Sequence, residues 1–134
     1  MPEKQFSPAL ANAALPLVRP IVADVVHHHA RLADLVSTYQ KKKREVGASQ
    51  LALNGARQEL AAATEQRDAC VAELVELGLK VKDVSTGIVD FPGELDGEPV
   101  LFCWRLGEER VEHYHAETEG FGGRRPIPVP VHAG

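Results

Sequence analysis

Two stretches of this chain carry apolar residues at alternating steps of three and four, and that rhythm limits the fold more than any other feature. Val18, Val22, Val25, His29, Leu32, Val36 and Tyr39 form the first row. Leu53, Ala56, Leu60, Ala63, Arg67, Cys70, Leu74 and Leu77 form the second. Side chains at this spacing share one stripe of an α-helix and make a seam against a second helix. Between the rows stand Gly47, a helix stop, and Ser49, an N-cap. The chain is therefore expected to turn there and pair two helices antiparallel.

With the turn centred on Gly47 and Ala48, facing residues have numbers summing to about 95 or 96. Val22 then meets Leu74, Val25 meets Cys70, Leu32 meets Ala63, Val36 meets Leu60, and Tyr39 meets Ala56. The same rule sets His29 against Arg67, a polar layer in an otherwise apolar seam. Two cations there need an acid, an anion or water, and Asp68 or Glu65 could supply the acid. Asn54-Gly55 is a competing loop signal that would shorten the second helix and shift the register.

Ahead of the first row, residues 1–15 read as a short leading helix with Ser7 as cap and Pro8 in its first turn. Pro16 and Pro20 predict a break or kink before the main helix, which runs to about Val46. After Gly78 the period becomes two. Leu79, Val81 and Asp83 alternate with their neighbours, Ile88 to Phe91 is extended, and Asp96-Gly97 marks a hairpin turn. Val100, Phe102, Trp104 and Leu106 give the clearest strand, with Trp104 as its main core residue. Glu108 and Glu109 after Gly107 predict a short helix over about 108–117, ended by Gly120-Phe121-Gly122-Gly123. Pro126, Pro128 and Pro130 predict an extended tail. The fold class is α+β in a single domain, 1–134. A long antiparallel two-helix hairpin (1–78) precedes a small antiparallel β-hairpin module with a short helix (79–125) and a Pro-rich tail (126–134).

A chain of 134 residues, 44% hydrophobic and 25% charged, suits one globular domain. Its net charge of -4 argues against nucleic acid as a partner, and Lys41-Lys42-Lys43-Arg44 reads as a solvated helix end. No leader is read, and no apolar run approaches the ~20 residues of a membrane span. The expectation is a cytoplasmic protein with no membrane partner. Cys70 and Cys103 form no CxxC pair and are expected as buried, reduced thiols. Two helices alone leave their stripes partly wet, so self-association is expected, as a homodimer built like a coiled coil into a four-helix bundle.

One set of residues resembles a family. Val89-Asp90-Phe91-Pro92, Asp96-Gly97, Cys103-Trp104-Arg105-Leu106-Gly107-Glu108, His115, Gly120-Phe121 and Gly123-Arg124 are similar to the bacterial family known as domain of unknown function 2203. Ala11-Asn12, Leu15-Pro16 and Val18-Arg19 resemble its start, and Tyr114 stands where it carries an aromatic. The resemblance implies a helical hairpin plus a small β module, and no activity.

For chemistry, Glu108, Glu112, His115 and Glu119 stand at helical steps of four, three and four. On a helix they would share one face. Carboxylate with imidazole suits a divalent metal such as Zn, Fe, Mn or Ni, and clustered carboxylates repel one another without a cation. The alternative is a solvated acidic helix, with a metal-free acid–base pair as a further reading. His113 and His115 offer a second route, because i, i+2 ligands share a face in a strand. His27-His28-His29 cannot chelate one ion from a helix, where consecutive residues diverge by about 100°. Arg124 and Arg125 after the glycines could hold an anion or nucleotide phosphate, or else pair with Glu108 or Asp90. The sequence thus suggests a self-associating accessory or binding protein with a polar, metal-capable site on its C-terminal module. The alternatives are a metal-dependent hydrolase or oxidoreductase using the Glu/His cluster, and a small-anion binder. Whether it is an enzyme stays open.

Overall fold

The computed structural model describes residues 5–128. Helix α1 runs Pro8–Arg44 and helix α2 Gln50–Glu76. Strands β1 (Lys80–Asp83), β2 (Ile88–Leu95), β3 (Glu98–Arg105), β4 (His113–Ala116) and β5 (Arg125–Pro126) follow, with a 3-10 turn at Phe121–Gly123 before β5. The strands form one antiparallel sheet in the order β1-β2-β3-β4-β5.

The helix ends follow from local chemistry. Ser7 Oγ accepts from the Leu10 N–H at 3.1 Å, and Ser49 Oγ from the Ala52 N–H at 3.0 Å. At the end of α2, the Gly78 N–H reaches the Val75 carbonyl at 2.9 Å and the Leu79 N–H reaches Leu74 at 3.1 Å. Gly78 at φ +97° permits this Schellman closure, and buried Leu74 and Leu79 complete it.

The hairpin register matches the seam. Arg67 Nη1 donates to His29 Nδ1 at 3.4 Å, and Arg57 Nε donates to the Tyr39 hydroxyl at 3.0 Å. Both pairs sum to the value set by a turn at Gly47 and Ala48. Arg67 also pairs with Asp68 at 3.1 Å, so the polar layer carries its own acid. Asn54-Gly55 lies inside α2 and makes no loop.

Two expectations for the helices are corrected. First, Pro16 and Pro20 do not divide the leading stretch from the main helix; both lie within one unbroken α1. Both prolines are themselves exposed, and each costs the helix one bond to the carbonyl four residues back without ending it. Second, α1 is long and apolar enough to cross a membrane by length and composition, with an 18-residue window of mean hydropathy 1.5. Counting uninterrupted apolar runs overlooks such a window, because an average tolerates a few charges. Of its residues, Ala11, Leu15, Val18, Val22 and Val25 are buried.

That core forms where α1 and the end of α2 meet one face of the sheet. Val89, Phe91, Val100, Phe102 and Trp104 pack with those α1 residues, Leu74 and Val111. Burying a side chain of this size contributes roughly 1.5–3 kcal/mol. The buried residues of α1 stop at Val25, so beyond it the hairpin rests on its own seam. The Asp96-Gly97 turn joins β2 to β3 with both residues at positive φ, +53° and +80°.

The helix expected over 108–117 is a further correction. His113–Ala116 is strand β4, paired with Val100–Cys103. The acids taken as a helix start serve a turn. The Glu108 N–H bonds the Arg105 carbonyl at 3.0 Å, and Glu108 Oε1 accepts from the Arg105 N–H at 2.9 Å. The outer edge of β3 needs a backbone partner, and the extended stretch around Tyr114 supplies it. The short helical element comes later, at Phe121–Gly123. Of the Pro-rich tail, Arg125–Pro126 pairs with β4, while residues 129–134 lie outside the described residues.

Candidate metal centre

The side of the sheet turned from the helices carries polar groups. Antiparallel register places Asp90 opposite Cys103 and Leu101 opposite His115. Paired residues, and residues two apart on a strand, share a face. Asp90, Cys103 and His115 therefore rise from three adjacent strands on one face. All three are buried, Asp90 to 0% and His115 to 1% exposure. Their ligand atoms lie within 4.8 Å of one another.

Hydrogen bonding orients the histidine. Its Nδ1 donates to the Ala116 carbonyl at 2.8 Å. Its Nε2 faces Asp90, 3.1 Å from each carboxylate oxygen. A lone pair aimed at a carboxylate is repulsive, so a proton or a metal cation must lie between the two groups. Orienting a ring through a backbone carbonyl is the arrangement that metal-ligating histidines use.

Cys103 lies beside Asp90, and the charges of Asp90 and Arg124 both act on its thiol. Burial pushes its thiol up to about 12, with the Asp90 charge adding to the rise and Arg124 opposing it. Arg124 grips Glu108 through two bonds, at 3.0 and 2.5 Å, and stacks on Phe121 with its guanidinium 4.1 Å from the ring centre. Burial resists ionisation of Glu108, but bonds from Arg124 and the Arg105 N–H outweigh it and hold its carboxyl below the usual range. The Glu108 partnership likewise raises Arg124. The Glu108–Arg124 ion pair thus lies beside the cluster of Asp90, Cys103 and His115. Beside it lies a cleft of about 300 Å³ lined by Lys82, Asp83, Ile88, Asp90, His115, Gly120 and Phe121.

The acidic set expected on one helical face is dispersed. Glu108 pairs with Arg124, and Glu119 accepts from the Ala116 N–H at 2.9 Å and from Arg125 at 2.6 Å. Glu112 is exposed. Of the four, only His115 joins the buried cluster. Arg124 and Arg125 are each engaged by a carboxylate. His113 lies opposite Cys103, with Nδ1 buried and without a partner among the described residues. Both cysteines are free; Cys103 is buried and Cys70 half-buried. Sequence reasoning did not group Asp90 and Cys103 with His115. The available signal was an aspartate inside the apolar run Ile88–Phe91, where an acid needs a buried partner.

No curated protein and no solved structure matches the chain. A family model described as an uncharacterized conserved protein (DUF2203) matches residues 4–127, and the chain belongs to that family.

Proposed function

We propose that this is a binding protein whose sheet module holds a divalent transition metal through Asp90, Cys103 and His115. One observation carries the reading: His115 commits Nδ1 to a carbonyl and aims Nε2 evenly at both oxygens of a buried carboxylate, beside a buried thiol. Thiolate, imidazole and carboxylate together suit Zn²⁺ first, then Fe²⁺. Tetrahedral zinc spaces its ligand atoms by roughly 3.3–3.8 Å, so small side-chain rotations suffice to close the cluster. Calorimetric titration of chelator-treated protein with Zn²⁺ tests it. One site per chain is expected in the wild type and none in Cys103→Ala or Asp90→Asn, each checked for folding by circular dichroism. Equal heats in wild type and folded variants, or no heat at all, would overturn the proposal.

The hairpin supports a second element of this reading, self-association into a homodimer. Leu10, Leu17 and Val75 are 57%, 55% and 56% exposed, while Leu15, Val18 and Leu74 of the same helices are buried. Covering such side chains is the usual reason for helical hairpins to pair. Light scattering after size exclusion should give twice the chain mass, and Leu17→Glu should return it to one. A monomeric wild type would end this part of the proposal.

A further inference from the structure

An ion held by Asp90, Cys103 and His115 is either sealed in by protein or keeps a position for an exchangeable ligand. All three donors rise from one face of one sheet, so they occupy one side of any ion they hold. The cleft that Asp90 and His115 line is also lined by Gly120, which has no side chain, and Phe121, which has no donor. The other carboxylate of the cleft, Asp83, is turned into its own turn, where Oδ1 accepts from the Ser85 N–H at 2.8 Å and the Ser85 hydroxyl at 2.6 Å. His113 shares the face but stands outside the cluster. Three protein ligands with a fourth position facing a cleft is the pattern of exchangeable sites, in contrast to closed structural ones.

We infer that, on the metal reading above, this fourth position takes a small carboxylate. Cys103 as thiolate and Asp90 offset the two charges of the metal, so the ligand meets a near-neutral centre. Selection then falls to the cleft. Exposed Lys82 at its rim supplies the cation for an anionic head, and Ile88 and Phe121 supply apolar walls for a short hydrocarbon body. Three glycines, Gly120, Gly122 and Gly123, flank Phe121 and allow its turn to adjust around a ligand.

Cobalt substitution separates this inference from the reading beneath it. Co²⁺-loaded protein should show visible bands with a thiolate charge-transfer component that disappear in Cys103→Ala. Failure of those bands to form refutes the metal site itself. Acetate, then isobutyrate, should shift the bands saturably, while chloride at equal ionic strength should not. Lys82→Ala should weaken both acids several-fold, and Phe121→Ala should weaken isobutyrate more than acetate. Bands that form but ignore both acids would overturn the inference. So would bands that respond only after His113→Ala, since His113 would then be the closing ligand.

Discussion

Asn12 bonds both backbone groups of Val111, accepting from its N–H at 2.8 Å and donating to its carbonyl at 3.1 Å. The same amide donates to the Pro8 carbonyl at 2.9 Å. One side chain in the second turn of α1 therefore fastens the segment between β3 and β4, which must be placed before β4 can present His115. Asn12→Ala leaves part-buried backbone groups without partners and is expected to cost roughly 2–4 kcal/mol. Asn12→Asp turns a carboxylate oxygen toward the Pro8 and Val111 carbonyls and should cost at least as much. Urea denaturation of the two variants checks the order.

Two glycines should respond to alanine with opposite signs. Gly87 has φ +80°, and an added Cβ would stand 2.9 Å from both the Leu106 Cβ and a Val22 methyl. Strain and clash together predict a loss of roughly 2–4 kcal/mol for Gly87→Ala. Gly55 lies within α2 with nothing within 4 Å of such a Cβ. Gly55→Ala should stabilise by about 0.5–1 kcal/mol through helix propensity alone. Thermal melts of the pair test this directly.

Acid should act on the β1–β2 turn. Hydrogen bonds from Ser85 and Thr86 hold the Asp83 carboxyl down at about 2, below its ordinary 3.8. A depressed carboxyl stabilises the fold above its unfolded value, and that contribution is lost as pH falls from about 4 toward about 2. The slope of stability against pH in that window should be shallower in Asp83→Asn than in the wild type. Unchanged slopes would show that Asp83 keeps its ordinary value.

Cys103 should be chemically quiet. In metal-free protein its thiol, raised to about 12, stays protonated through the neutral range, and burial slows bulky reagents. Near pH 8, iodoacetamide is expected to label half-buried Cys70 first, although burial raises that thiol as well. Cys103 should label only as the chain unfolds. The raised thiol also predicts stability that declines as pH climbs from about 9 toward about 12, and a shallower decline in Cys103→Ala.

The helical hairpin was legible because its information is local and periodic. A turn at Gly47 and a three-four rhythm suffice to pair His29 with Arg67, and Tyr39, expected opposite Ala56, bonds the next residue, Arg57. The Asp96-Gly97 turn was legible for the same reason. Pro16 and Pro20 misled because whether a proline breaks a helix depends on which way its freed carbonyl faces, a tertiary fact. The segment around His115 misled more seriously. Its acids favour a helix start, yet the unpaired edge of β3 decides the outcome, and no local pattern reports that edge. The candidate site went unread for a related reason. Asp90, Cys103 and His115 are separated in sequence and meet only through strand register. His115 alone stood out, and the sequence groups it with Glu108, Glu112 and Glu119, which the fold places in other partnerships or in solvent.

The most direct test is an anomalous difference map from crystals grown with Zn²⁺, with data collected on both sides of the zinc edge. The account predicts one strong peak per chain, about 2.0–2.3 Å from Asp90 Oδ, Cys103 Sγ and His115 Nε2, on the side of the sheet away from α1. No peak there, or a peak only at His27–His29 or at Glu112, would contradict it.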